Sequence, residues 1–139
     1  MEALRLEFNI DGDDFQAAGE ASSKTKRALK KLGLPPDTIR RVAICMYEGE
    51  INMVIHANGG TVTVEVDETA VKITLADRGP GIPDISSALT EGFSTATNQI
   101  RELGFGAGMG LPNMRKYCDD MDIKTELNVG TTVTMTVNF

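Results

Sequence analysis

Three polar side chains stand four residues apart in one run: Glu48, Asn52 and His56. On a helix this spacing stacks all three along one face, with Glu50 pointing elsewhere. A carboxylate, an amide oxygen and an imidazole on a face otherwise expected to be apolar need a polar ligand or partners. A solvated stripe with an i,i+4 hydrogen bond is the alternative, and this helix alone leaves the two even. Further on, Asp77 precedes Arg78-Gly79-Pro80-Gly81-Ile82. A carboxylate at a strand end, held by a tight glycine turn, can accept from an exocyclic amine at a pocket floor. Asp-x-Gly also often does no more than begin a turn. The third group is the run from Gly104 to Met114, with Gly104, Gly106, Gly108 and Gly110 on alternate positions. Glycine at that density lets backbone N–H groups approach a ligand with no Cβ in the way. A helix start directly behind it adds unpaired N–H donors and a positive dipole end, which suits phosphate. A flexible loop competes with that reading.

The elements that must position these groups follow from periodicity. Leu4 to Ile10 alternates apolar and polar, which predicts a half-buried strand. Asp13 or Asp14 can cap the helix behind it, whose stripe is Phe15, Ala18, Ser22, Thr25, Leu29 and Leu32 and whose end is Gly33. The small residues in that stripe suggest close approach to another element, inside the fold or across a dimer. Pro35-Pro36-Asp37 starts a second helix with Asp37 as N-cap, and Ile39, Val42, Ala43, Met46, Gly49 and Met53 mark its core side. It ends near Ala57-Asn58-Gly59-Gly60. Thr61–Val66 and Val71–Ala76 read as a hairpin of β-branched alternation around Asp67-Glu68-Thr69. Regularity then fails from Asp77 to Gly110, apart from a short helix at Ile85 to Leu89, and a loop that long in a compact domain is usually functional. Leu111 to Met121 reads as a helix, and Ile123–Leu127 and Thr131–Val137 as a closing hairpin. This order predicts an α/β sandwich, a mixed and mostly antiparallel sheet with helices on one face.

Bulk properties narrow the function. With 139 residues the chain is expected to form one domain, residues 1–139. A net charge of −6, with bases scattered apart from Lys24, Lys26, Arg27, Lys30 and Lys31, argues against nucleic acid. That basic cluster reads as a solvated helix face rather than a docking patch. Two cysteines, Cys45 and Cys118, lack C-x-x-C spacing and read as reduced thiols. The apolar runs are far short of the ~20 residues that a membrane span needs, and the N-terminus has no apolar signal core. A cytoplasmic protein is the expectation.

Together, Glu48-x-x-x-Asn52, Asp77-x-Gly79-x-Gly81 and Gly106-x-Gly108-x-Gly110 stand in order, each on the element type that suits it. The array resembles the N, G1 and G2 boxes of the GHKL superfamily, which contains gyrase, the heat-shock chaperone of Hsp-ninety type, histidine kinases and MutL. It covers about Arg40 to Val137 and implies a Bergerat-type α/β sandwich. Gly130-Thr131-Thr132-Val133 is similar to the family's Gly-Thr strand start near the nucleotide pocket. A free-standing domain of this length resembles the anti-sigma-factor and switch-protein serine kinases. The resemblance implies ATP and Mg2+ as cofactors, with Glu48 as general base and Asn52 as the Mg2+ ligand. It also implies that Asp77 accepts from the adenine amino group, within an Asp77-x-Gly79-x-Gly81-Ile82 turn where Gly81 backs the base. Gly106, Ala107, Gly108, Met109, Gly110 and Leu111 would wrap the phosphates, with an ATP lid at about residues 84–109, and Thr131 would support the adenine side. Arg101, the lone cation in the lid, is the candidate γ-phosphate contact, with a solvent-facing charge as its alternative. His56 is expected to make a structural hydrogen bond at the helix end. Gly49-Glu50 departs from the family pattern, costs about 1 kcal/mol of helix propensity, and is expected to alter the partner-facing surface.

The resemblance therefore implies a serine/threonine protein kinase. It would phosphorylate a STAS-type antagonist and regulate a sigma factor or phosphatase regulator by nucleotide state, with a homodimer left open. A nucleotide-gated binding module without kinase activity is the alternative. A detached histidine-kinase catalytic domain is the weaker third reading.

Overall fold

The computed structural model describes residues 4–11, 19–56, 59–78 and 110–139. Among the described residues, five strands and three helices run in the order β1 (Leu4–Asp11), α1 (Glu20–Leu32), α2 (Pro36–His56), β2 (Gly59–Val66), β3 (Ala70–Asp77), α3 (Gly110–Tyr117), β4 (Asp120–Glu126) and β5 (Gly130–Asn138). The sheet order is β1-β2-β3-β5-β4. All four neighbouring pairs are antiparallel, so the mixed sheet expected from the sequence is purely antiparallel among the described strands.

Register puts the apolar side chains of successive strands into rows. Val62, Leu75 and Val133 share one row, Val64, Ile73 and Met135 the next, and Val66, Val71 and Val137 the third. All nine are buried, while their period-two neighbours, such as Thr63, Thr74 and Thr134, remain partly exposed. Alternation of this kind requires one covered face, and the helices cover it. Ile39, Val42, Cys45, Met46 and Met53 of α2 join the valine rows in one core, with Ala21 and Leu29 of α1 and Met114 of α3.

Several boundaries differ from the sequence expectation. α1 begins at Glu20, with Gly19 at its N-cap and no side-chain cap from its own segment. Asp13, Asp14, Phe15 and Ala18 lie outside the described residues. Leu32, expected on the buried stripe, is 43% exposed because it is the last turn before the left-handed Gly33. Pro36 is the first residue of α2, which suits a residue with no N–H to leave unpaired. Asp37 therefore sits inside the first turn, paired with Arg40 at 3.0 Å, rather than at the N-cap. α3 stops at Tyr117, not Met121, because Asp119 N–H already donates to Thr136 O at 2.8 Å and starts the β4 ladder. The turn around Asp67 forms as expected, its carboxylate accepting from Thr69 N–H at 2.7 Å and Ala70 N–H at 2.9 Å. No described helix is long and apolar enough to cross a membrane.

Candidate functional site

Glu48 and Asn52 lie on successive turns of α2 and both are half-buried, as their spacing requires. His56 ends the helix, and its side chain lies outside the described residues. One partner of Glu48 comes from α3, where Asn113 Nδ2 donates to Glu48 Oε1 at 3.2 Å. In the sequence Asn113 is only a residue of the glycine-led run, since a contact across 65 residues has no local signal.

Gly49 is buried, as its place on the core side of α2 predicts, and Glu50 is buried beside it, against the expectation that the pair alters a partner-facing surface. Glu50 is only 1% exposed. Its Oε2 accepts from the backbone N–H of Gly19 at 2.8 Å and of Ala21 at 3.3 Å, and its Oε1 from Ser22 N–H at 2.7 Å. The first turn of α1 is thus capped by a carboxylate from another helix, which satisfies donors that a helix start leaves open. Burial pushes the Glu50 carboxyl above its ordinary value, and the three N–H donors act against that rise. A Cβ on Gly49 would stand 2.4 Å from Leu75 Cδ1, so only glycine lets α2 come this close to β3. That contact seats the turn of α2 carrying Glu48 and Asn52 against the strand that ends at Asp77.

Asp77 is the last residue of β3, and its Oδ1 accepts from Thr131 N–H at 2.9 Å. Thr131 is buried, and its Oγ1 lies 2.9 Å from Thr125 Oγ1. A Cβ on Gly130 would meet the Asp77 carbonyl oxygen at 2.2 Å, so the start of β5 packs directly on the end of β3. The Gly130-Thr131 pair therefore orients Asp77, a link the sequence carried only as a strand-start resemblance.

Gly110 opens α3, and Leu111 belongs to the same first turn. The remaining expected ligand-binding residues, Gly79, Gly81, Ile82, Arg101, Gly106, Ala107, Gly108 and Met109, lie outside the described residues, as do the lid at 84–109 and the short helix at 85–89. The described groups nevertheless fit a magnesium nucleotide. They offer a carboxylate fixed at a strand end by Thr131 N–H and an amide oxygen on the helix packed over that sheet. Among the described residues no group of three or more His, Cys, Asp or Glu could hold a metal ion. A cation carried by phosphate oxygens and water needs only a single protein ligand of the Asn52 type.

An open cleft of about 720 Å³ separates α1 from α2 and reaches Glu48. Lys24, Lys26 and Arg27 line its α1 side, and Ile44 and Tyr47 its α2 side. Lys24, Lys26, Arg27, Lys30 and Lys31 are all exposed, as expected of a solvated face, but three of them also border this cleft. Cys45 and Cys118 are free thiols. Burial pushes Cys45 up to about 12, so it is inert as a nucleophile.

Comparison with known proteins places the chain in a family. The histidine kinase-like ATPase domain family matches residues 13–137. The serine/threonine-protein kinase RsbT of Bacillus subtilis is 28% identical over 112 residues, which cover 78% of this chain and 78% of RsbT. The anti-sigma F factor of Geobacillus stearothermophilus is 29% identical over 103 residues, covering 70% of this chain and 67% of that protein. Among solved structures, the RsbU and RsbW domains of Rv1364c from Mycobacterium tuberculosis superpose with a TM-score of 0.65 at 17% identity, over 96% of this chain and 31% of that one. That last likeness concerns the fold alone, and this chain spans about a third of the larger one. The chain belongs to the histidine kinase-like ATPase domain family.

Proposed function

We propose that this member of the family binds ATP with Mg2+ and transfers the γ-phosphoryl group to a serine or threonine hydroxyl of a STAS-type antagonist domain, and that nucleotide state governs its hold on a partner. The observation that carries the reading is the position of Glu48. Its carboxylate borders the α1–α2 cleft and is hydrogen-bonded to the first turn of α3. A phosphoacceptor protein lying in the cleft brings its hydroxyl to Glu48, while the start of α3 faces the phosphates.

Each residue then has a task. Asp77, oriented by Thr131 N–H, accepts from the adenine amino group. Asn52 supplies an oxygen to the cation, which when bound neutralises charge on the phosphate oxygens. Glu48 accepts the hydroxyl proton as the oxygen attacks. Lys24, Lys26 and Arg27 attract an acidic partner surface. The names of RsbT and of the anti-sigma F factor support the kinase activity and a sigma-factor circuit.

The test is transfer from γ-labelled Mg·ATP to a purified STAS-type antagonist. Glu48→Gln is expected to slow transfer by about 100-fold or more with nucleotide affinity nearly unchanged. Undiminished transfer would remove Glu48 from its role. Nucleotide binding with no transfer to any antagonist would instead favour a nucleotide-gated binding module.

A further inference from the structure

Three side chains of α2 reach α3 along one seam. Arg41 Nε donates to Tyr117 O at 3.0 Å, Cys45 Sγ donates to Met114 O at 3.6 Å, and Glu48 Oε1 accepts from Asn113 Nδ2 at 3.2 Å. As α2 advances from 41 to 48, α3 is met in reverse from 117 to 113, so the two helices are joined antiparallel. The first two contacts end on backbone carbonyls and hold α3 in place. The third joins a side-chain amide to the carboxylate read above as the base.

We propose that Asn113 is a positioning residue for Glu48, fixing the orientation of its carboxylate and tying that orientation to the first turn of α3. The proposal rests on the reading of Glu48 as base. A half-buried glutamate has three rotatable side-chain bonds, and one directional donor on Oε1 selects among its rotamers. With Oε1 occupied, Oε2 is the oxygen presented to an incoming hydroxyl. The donor is a neutral amide, so it orients the carboxylate without the ion pair that a lysine or arginine would impose at the same place. Asn113 follows Gly110 by three residues, about 4.5 Å along the helix axis. It lies within the first described turn of α3. A displacement of that turn away from α2 therefore takes the donor from Glu48. Ordering of the base then depends on the contact between α2 and this turn of α3.

The test reads the Glu48 side chain and the reaction separately, on the full chain. With glutamate labelled and Glu48 assigned from Glu48→Gln, side-chain couplings in the wild type report one dominant rotamer. Asn113→Leu, which keeps the size of the side chain and removes the donor, is expected to give rotamer averaging. With γ-labelled Mg·ATP and a STAS-type acceptor, Asn113→Leu lowers kcat about tenfold while KM for Mg·ATP stays within about twofold. Asn113→Gln, which restores an amide donor, recovers at least a third of the wild-type kcat, roughly. A simple tie between helices would lower the melting temperature in Asn113→Leu yet leave the Glu48 rotamer and kcat unmoved, and that result overturns the proposal. Full transfer in Glu48→Gln would overturn the base assignment itself. Lost transfer in Glu48→Gln beside an unaffected Asn113→Leu would overturn the role of Asn113 alone.

Discussion

Ser22 N–H donates to Glu50 Oε1 at 2.7 Å, and with the N–H groups of Gly19 and Ala21 on Oε2 it makes one buried carboxylate the cap of α1. The cap comes from α2, 28 residues away from Ser22, and lies two residues past Glu48. The start of α1, one wall of the cleft, is thereby fixed to the helix that carries the candidate base.

Removing this cap strands three backbone donors. Glu50→Leu is expected to cost about 2–4 kcal/mol of stability, measured by denaturant titration, with α1 losing hydrogen-exchange protection before the sheet does. Glu50→Gln keeps one acceptor and isolates the charge. Because burial raises the Glu50 carboxyl above its ordinary 4.5 in the folded state, ionising it costs the fold more than the unfolded chain. The contribution of Glu50 relative to Gln is therefore full below about 4.5 and declines as the pH rises through the elevated folded value. Melting temperatures of the two proteins between about pH 4 and pH 7 check the sign, since wild type must lose ground to Glu50→Gln as the pH increases.

Gly49→Ala sets a gain against a clash. Helix propensity favours alanine by about 1 kcal/mol, but the added Cβ would stand 2.4 Å from Leu75 Cδ1 in the core. Overpacking is expected to win, with a net loss of about 1–2 kcal/mol. In a Leu75→Ala background the clash has no partner and the same substitution becomes neutral or stabilising. A double-mutant cycle in urea measures this, and additive effects would contradict it.

Asp77 separates binding from folding. Asp77→Asn keeps an oxygen for Thr131 N–H, so stability should change by less than about 0.5 kcal/mol, whereas Asp77→Ala leaves that N–H unpaired at a cost of about 1–2 kcal/mol. Both should weaken ADP binding by about 10- to 100-fold, read by calorimetry. An Asn variant that binds ADP as wild type does would remove Asp77 from the adenine contact.

Local pattern carried most of the fold. The β2–β3 hairpin was legible because Val62, Val64 and Val66 alternate with polar residues, as do Val71, Ile73 and Leu75, and that period belongs only to a half-covered sheet. α2 was legible from its 3.6-residue apolar repeat, and Glu48 with Asn52 from their one-turn spacing. Helix ends are less legible. Asp37 looks like an N-cap, and only Pro36 at the first helical position displaces it.

The sequence by itself determined the element types, the three-box array and the side of α2 that presents Glu48 and Asn52. Those follow from intervals of a few residues, where backbone periodicity alone decides which side chains share a face. Only the tertiary structure decided that Gly49 is a point of close contact with Leu75, that Glu50 caps α1, that Thr131 orients Asp77 and that Asn113 holds Glu48. Each of these joins groups 26 or more residues apart. In the chain, Gly49 registers as a core-side position with lost helix propensity, and Glu50 only as a surplus acid. Their stabilising partners become neighbours after the helices settle on the valine face of the sheet.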